Sequence, residues 1–296
     1  GLPEFGTKIT RRVLEEAKPK SFSDLVIISG LTHGTDVWAN NAQTLIQSGI
    51  KLDEVIGCRD DIMTYLIEKK LEPITAFNIM ESVRKGKGLK PEWEAIMKEH
   101  SVPDWYIDSC KKIKYMFPKA HACAYVIMAL RIAWFKVYYP HYFYIQCFTL
   151  RSNAYEIETM SKGLNAVVER MNDINRRLFA YGDERATNKE KDLYDTLEMC
   201  HELYARGYKI SNIDLYKSKA TEFTFDPSDP KTIIPSFITV DGLGEGVARS
   251  IEEARVHGEF ISKEDLINRT QLSSKLVEKL TNLGCLNGLD ETNQMS

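Results

Sequence analysis

Between Tyr115 and Pro140 the sequence reads YMFPKAHACAYVIMALRIAWFKVYYP, and this stretch limits the fold more than any other. Pro118 fixes its φ near the helical value and donates no N–H, so a helix opening at Lys119 follows naturally. Beyond that point apolar residues fall on almost every side of the helix. Such a pattern predicts a helix buried all round, the axle of a helical unit. Arg131 and Lys136 interrupt the run too early for a membrane span, and no signal-peptide pattern opens the chain.

The preceding residues agree with a helical unit. Thr7–Ala17 reads as a short amphipathic helix ended by Lys18-Pro19. Ser21 or Ser23 can cap the next helix, FSDLVIIS, whose positions 22, 25, 26 and 28 lie roughly on one face. A glycine-punctuated loop, SGLTHGTDVWANNAQ, follows. Short helices with polar turns then lead to the apolar helix: LDEVIG, RDDIMTYLIEKK, PITAFNIMESVRKG, PEWEAIMKEH and PDWYIDSCKKI. After Ser152 the character shifts to polar, charge-mixed helices through about Arg206. Lys209–Phe225 reads as one or two short strands and DPSDPKT as a loop.

Helical pattern resumes at about Gly244, inside IPSFITVDGLGEGVARSIEEAR. Gly242 and Gly244 allow a turn that brings backbone N–H groups to the surface, and the helix start behind them adds a positive dipole end. With Gly246 they form a cradle for one phosphate of a nucleic-acid backbone, without sequence readout. A plain glycine turn between packing helices is the alternative, but the whole pattern resembles a helix-hairpin-helix motif. EDLINRTQLSSKLVEKLTNLGCLNGL resembles a second copy lacking the glycine pair. The fold class is therefore mainly α: a helical domain, a short α/β connecting region, and a C-terminal tandem helix-hairpin-helix module.

Charge sharpens the functional reading. The net charge of −3 argues against a general nucleic-acid coat, although local basic runs can still form a footprint. Against it stand two basic runs: Arg84, Lys85, Lys87 and Lys90, then Lys111, Lys112, Lys114 and Lys119. Tyr115, Phe117 and Tyr125 interleave aromatic surface, a mixture suited to phosphates with stacking bases, although a solvated face has the same composition. Lys119 and His121 fall at the positive end of the apolar helix, where an anion such as a triphosphate would sit. A satisfied core histidine is the other reading of His121. A His121–Cys123 catalytic pair is excluded, because side chains two apart on a helix point about 200° apart. Six cysteines without a CxxC pair fit neither a zinc site nor a disulfide scaffold, and imply reduced thiols in the cytoplasm.

FPKAHACAY, the helix ending in WFKVYYP, SGLTHGTDVWANNAQ, IGCRDDIM, MESVRKGKG and WYIDSCKKIKYMFPKAH together resemble the fingers of bacterial replicative DNA polymerase III alpha subunits, of the PolC type. The resemblance implies a connecting helix at 1–19, a fingers domain at 20–150, a connecting α/β region at 151–225, a duplex-binding helix-hairpin-helix domain at 226–290 and a truncated clamp-binding tail at 291–296. It implies nucleotidyl transfer in the intact enzyme with two Mg2+ ions whose carboxylate ligands lie outside this chain, so no catalytic or metal-binding residue is assigned within it. Contacts to dNTP and the nascent base pair fall to His33, Thr35, Asp36, Lys111, Lys112, Lys114, Lys119 and His121. For Asp36, helix N-capping is an equal alternative. Duplex contacts fall to Arg84, Lys85, Lys87, Gly242, Gly244 and Gly246. The implied partners are primer-template DNA, dNTP and a sliding clamp, with no membrane. The rival reading is a stand-alone, non-enzymatic DNA-binding adaptor built on the hairpin module.

Overall fold

The structure, a computed structural model, describes residues 1–293. The tail Gln294-Met295-Ser296, read above as the stub of a clamp-binding peptide, lies outside the described residues. The chain divides into two compact units, Gly1–Trp134 and Phe135–Ser296.

The first unit is helical: α1 (Lys8–Ala17), α2 (Phe22–His33), a π-type turn (Trp38–Ala42), α3 (Gln43–Gln47), α4 (Arg59–Glu68), α5 (Pro73–Arg84), α6 (Pro91–Glu99), α7 (Asp104–Lys112) and α8, Lys119–Tyr138, which starts here. Ser21, not Ser23, caps α2, in a reciprocal pair with Asp24. This helix runs to His33, further than its sequence predicts. Gly30 reads as a loop signal, yet it is helical and small for another reason: a Cβ there would sit 2.3 Å from the Gly57 carbonyl oxygen. LDEVIG, expected as a helix, is a turn that buries Val55 and Ile56. Ile62, Leu66, Ile79, Val83, Met97 and Tyr106 form the main core with Leu31 and Ile56.

A second core cluster joins Phe5, Val13, Val26, Ile28 and Cys58 to Ala122, Val126 and Ala129 of α8. These are the only residues α8 buries, one narrow stripe at i, i+4 and i+7. The expectation of a helix buried all round fails. Ile127, Met128 and Leu130 are 43, 54 and 40% exposed. Hydrophobicity on every side says that a helix avoids water, but small residues are what let this one approach its neighbours. By length and composition α8 is also sufficient to cross a membrane, contrary to the reading that Arg131 and Lys136 cut it too short. The window that meets the length and hydropathy requirement contains both charges.

The second unit comprises α9 (Pro140–Leu150), α10 (Ile157–Met160), α11 (Leu164–Arg177) and α12 (Asn188–Ala205), then β1 (Lys209–Ile210), β2 (Thr224–Asp226) and β3 (Asp229–Ile234). After a 3-10 turn at Phe237–Thr239 come α13 (Glu245–Arg255), α14 (Lys263–Arg269) and α15 (Ser274–Asn282). Packing of α11 on α12 is reinforced by Arg170 and Arg177, which bind Glu156, Asp173 and Glu190. The sheet order is β1-β3-β2, with β1 parallel and β2 antiparallel to β3. DPSDPKT, expected as a loop, is the β2–β3 turn and the start of β3. Its tip is held by Asp226, which accepts from the Ser228 N–H at 2.9 Å. Leu243, Ala248, Ile251, Leu266, Val277 and Leu280 bury the apolar sides of the hairpin region.

Candidate nucleic-acid interface

In the first unit, backbone pairing gathers much of the polar surface expected around a nucleotide. Thr35 pairs with Tyr115: its N–H donates to the Tyr115 carbonyl at 2.9 Å, and its own carbonyl accepts from Lys114 N–H at 3.1 Å. Gly34 and Gly86 make this possible. An added Cβ would lie 2.8 Å from the Tyr115 oxygen at Gly34, and 2.6 Å from the Lys114 oxygen at Gly86. Gly86 also adopts φ +70°, which side chains resist. The loop after His33, the lysine run and the 84–87 turn are thus neighbours.

The loop is fixed by a buried polar pair that the sequence did not single out. Asn41 Nδ2 donates to the Asp36 carbonyl at 3.0 Å and to the Ser109 carbonyl at 3.3 Å. The Ser109 hydroxyl donates back to Asn41 Oδ1 at 2.6 Å. Asp36 itself does not cap a helix. It sits at φ +56°, and the following turn has Val37 at its N-cap without a side-chain bond. An asparagine beside a second asparagine in a Gly-flanked loop is the one available signal for Asn41, and it is weak.

The expected cations differ in what they are free to do. Lys111 pairs with Glu94 at 3.2 Å, and Lys112 donates to the Asn40 carbonyl at 3.1 Å. Arg84 and Lys85 both bind Glu81, whose carboxyl they pull down to about 2. Lys87 and Lys114 are exposed and make no ion pair among the described residues. At the start of α8 two carboxylates hold the position read as an anion site. Asp60 accepts the Lys119 backbone N–H at 2.7 Å, and Asp61 pairs with the Lys119 ammonium at 2.8 Å. Asp61 also accepts from the Cys58 N–H at 2.8 Å, so it joins the starts of α4 and α8. The sequence places Asp60 and Asp61 only in their own helix, because their partner is far along the chain.

His121 is exposed and belongs to an aromatic ladder. His33 stacks on Phe117 at 5.1 Å, Phe117 meets His121 edge-on at 5.1 Å, and His121 meets Tyr125 at 4.5 Å. His33 donates from Nδ1 to the Ser29 carbonyl at 2.7 Å, with Glu4 2.5 Å from Nε2. Both ring nitrogens of His33 are therefore engaged, and its ring face carries the contact with Phe117.

The second unit holds the glycine hairpin. Gly242 takes φ +86°, and Leu243 anchors the turn by burial. At Gly244 a Cβ would meet nothing within 4 Å, and at Gly246 only Gln271 Oε1 at 3.8 Å. Neither glycine is demanded by packing inside the chain, so both leave open space for an approach from outside. Gly244 is the N-cap of α13 and supplies no side-chain acceptor, which leaves the first amides of that helix uncapped. The second copy differs: Ser273 caps α15, its hydroxyl accepting from Leu276 N–H at 3.3 Å. Only the first hairpin offers a phosphate an open helix end. Among the described residues no group of three or more His, Cys, Asp or Glu side chains is arranged to hold a metal ion.

Comparison with known proteins finds a match in each unit. Residues 1–101 match the bacterial DNA polymerase III alpha subunit finger domain, and residues 207–295 match the helix-hairpin-helix motif. The whole chain is 54% identical to a DNA polymerase III PolC-type of Oceanobacillus iheyensis, 55% to that of Bacillus subtilis and 52% to that of Streptococcus mutans. It spans about a fifth of the length of these relatives.

Proposed function

We propose that this chain, which belongs to the PolC-type DNA polymerase III family, supplies nucleotide, base-pair and duplex contacts to a DNA-directed DNA polymerase. The observation that carries the reading is the match along its whole length, which joins the fingers and the hairpin in one polypeptide. A stand-alone adaptor would need only the hairpin half.

In this reading the first unit meets the incoming dNTP and the nascent pair. Lys114 presents an unneutralised ammonium, and the His33–Phe117–His121–Tyr125 ladder presents ring faces and edges. Thr35 and Asp36 shape the adjoining loop. Lys111, Lys112 and Lys119 reach an anion only by exchanging a present partner, which costs part of what they gain. Arg84, Lys85 and Lys87 lie beside them, facing backbone phosphates. In the second unit the amides at Gly242, Gly244 and Gly246 hold one duplex phosphate whatever the sequence.

Asp61 pairs with the Lys119 ammonium and the Cys58 N–H, and Asp60 accepts the Lys119 N–H, so this reading assigns neither carboxylate to magnesium. We place the catalytic carboxylates and their Mg2+ in the length of the relatives that this chain does not span, with the clamp contact involving the tail at 291–296, in a polymerase acting in the cytoplasm. The 296-residue chain alone then extends no primer. The decisive test is binding to duplexes of unrelated sequence. Gly242→Val and Gly244→Val should weaken all of them alike, and a loss confined to one duplex, or no loss, would sink the hairpin reading.

A further inference from the structure

Two lysines from separate helices converge on the residue just before the glycine hairpin. Lys189 of α12 places its ammonium 2.9 Å from Asp241 Oδ1. Lys279 of α15 reaches the Asp241 carbonyl at 2.8 Å and Oδ2 at 3.3 Å. Asp241 and Lys189 are both 68% exposed, and ion pairs so open to water add little to stability. The fold therefore gains little by bringing them together. What the arrangement does achieve is electrostatic. Asp241 is outnumbered by two cations, and Glu245, in the first turn of α13, is held by Arg249 at 2.6 Å. The carboxylates beside the open amides are thus neutralised, with one positive charge in excess.

We propose that Lys189 and Lys279 extend the phosphate site of the hairpin. In the free chain Asp241 holds them beside it. On docking of duplex DNA they turn to the backbone phosphates that flank the one at the glycines. The inference rests on the helix-hairpin-helix reading and adds two things to it. The second repeat, which lacks the glycine pair, contributes a cation where the first contributes amides. And α12, which lies before the residues matching the hairpin family, becomes part of the same surface.

The test uses the 296-residue chain and a labelled duplex, with binding followed by fluorescence anisotropy across a salt series. Lys189→Ala and Lys279→Ala should each weaken binding about five- to tenfold near 0.1 M salt and lower the log–log salt slope by about 0.9. Asp241→Asn should tighten binding, since it removes a carboxylate and releases both lysines. Thermal melting of all three should stay near that of the parent chain. If Gly242→Val weakens binding while the double lysine variant keeps affinity and slope, the inference falls and the hairpin reading stands. If Gly242→Val also binds normally, the hairpin reading itself falls. An Asp241→Asn variant that melts lower and binds less would make Asp241 a structural brace and overturn the holding role.

Discussion

The Asn41–Ser109 pair is the sharpest place to test how the loop around Asp36 is held. Both side chains are buried, at 2 and 3% exposure, so water cannot replace a bond that is removed. Ser109→Ala deletes the 2.6 Å bond and leaves Asn41 Oδ1 without a donor, a loss of about 1–3 kcal/mol. Asn41→Ala deletes that bond and both Nδ2 bonds, so about 3 kcal/mol is expected, at the upper end of the same range. In the double variant the shared bond is counted once, and a coupling of roughly 1–2 kcal/mol should appear. All four tryptophans, at 38, 93, 105 and 134, lie in the first unit. Urea unfolding followed by tryptophan fluorescence therefore reports mainly on that unit. A Ser109→Ala loss below about 0.5 kcal/mol, or strict additivity in the cycle, would show that Asn41 finds another donor and refute the brace.

Other outcomes follow from particular contacts. In the intact polymerase Lys114→Ala should reduce dNTP utilisation by roughly ten- to a hundredfold, the worth of one charge-assisted contact, and Lys119→Ala by less, because Asp61 already neutralises Lys119. Equal losses, or losses seen in DNA affinity instead, would count against this order when dNTP and DNA are varied separately. Glu190 is held down to about 2, first by Arg177 and then by the Thr187 N–H. A carboxylate lowered in the folded state stabilises above its unfolded value of about 4.5 and loses that contribution as pH falls towards 2. Melting of Glu190→Gln between pH 5 and about 2.5 should accordingly fall less steeply than that of the parent. Along α8, Val126→Ala should cost about 1–3 kcal/mol, whereas Ile127→Ser and Met128→Ser should stay within about 0.5 kcal/mol. Equal costs in the urea titration would restore the helix buried all round.

What the sequence disclosed and what it hid divide by the range of the contact. Ser21 with Asp24 is a local capping box, so the start of α2 was readable within a few residues. The hairpin was readable for the same reason: a positive φ at Gly242 and an uncapped α13 are properties of adjacent residues. Strand β3 was not, because Pro230 and the turn-forming residues around its start mimic a loop, while its pairing with β1 and β2 comes from elsewhere in the chain. The end of α2 was hidden by glycines whose smallness serves packing on Gly57 and Tyr115 rather than flexibility.

The cations show the same division with more consequence for function. Composition located two basic runs correctly but treated every lysine in them as equivalent. Long-range partners then sort them: Glu94 takes Lys111, Asp61 takes Lys119, the Asn40 carbonyl takes Lys112, and Lys114 is left exposed. Clustered cations repel one another, and in the folded chain they need acceptors to hold them in place. Pairing all but a few of them to fixed acceptors does this. The same logic acts at the hairpin, where Asp241 holds Lys189 and Lys279 at the rim of the open amides. In both units which cations are held by a partner is therefore decided by long-range contacts, and a count of lysines along the chain does not contain that information.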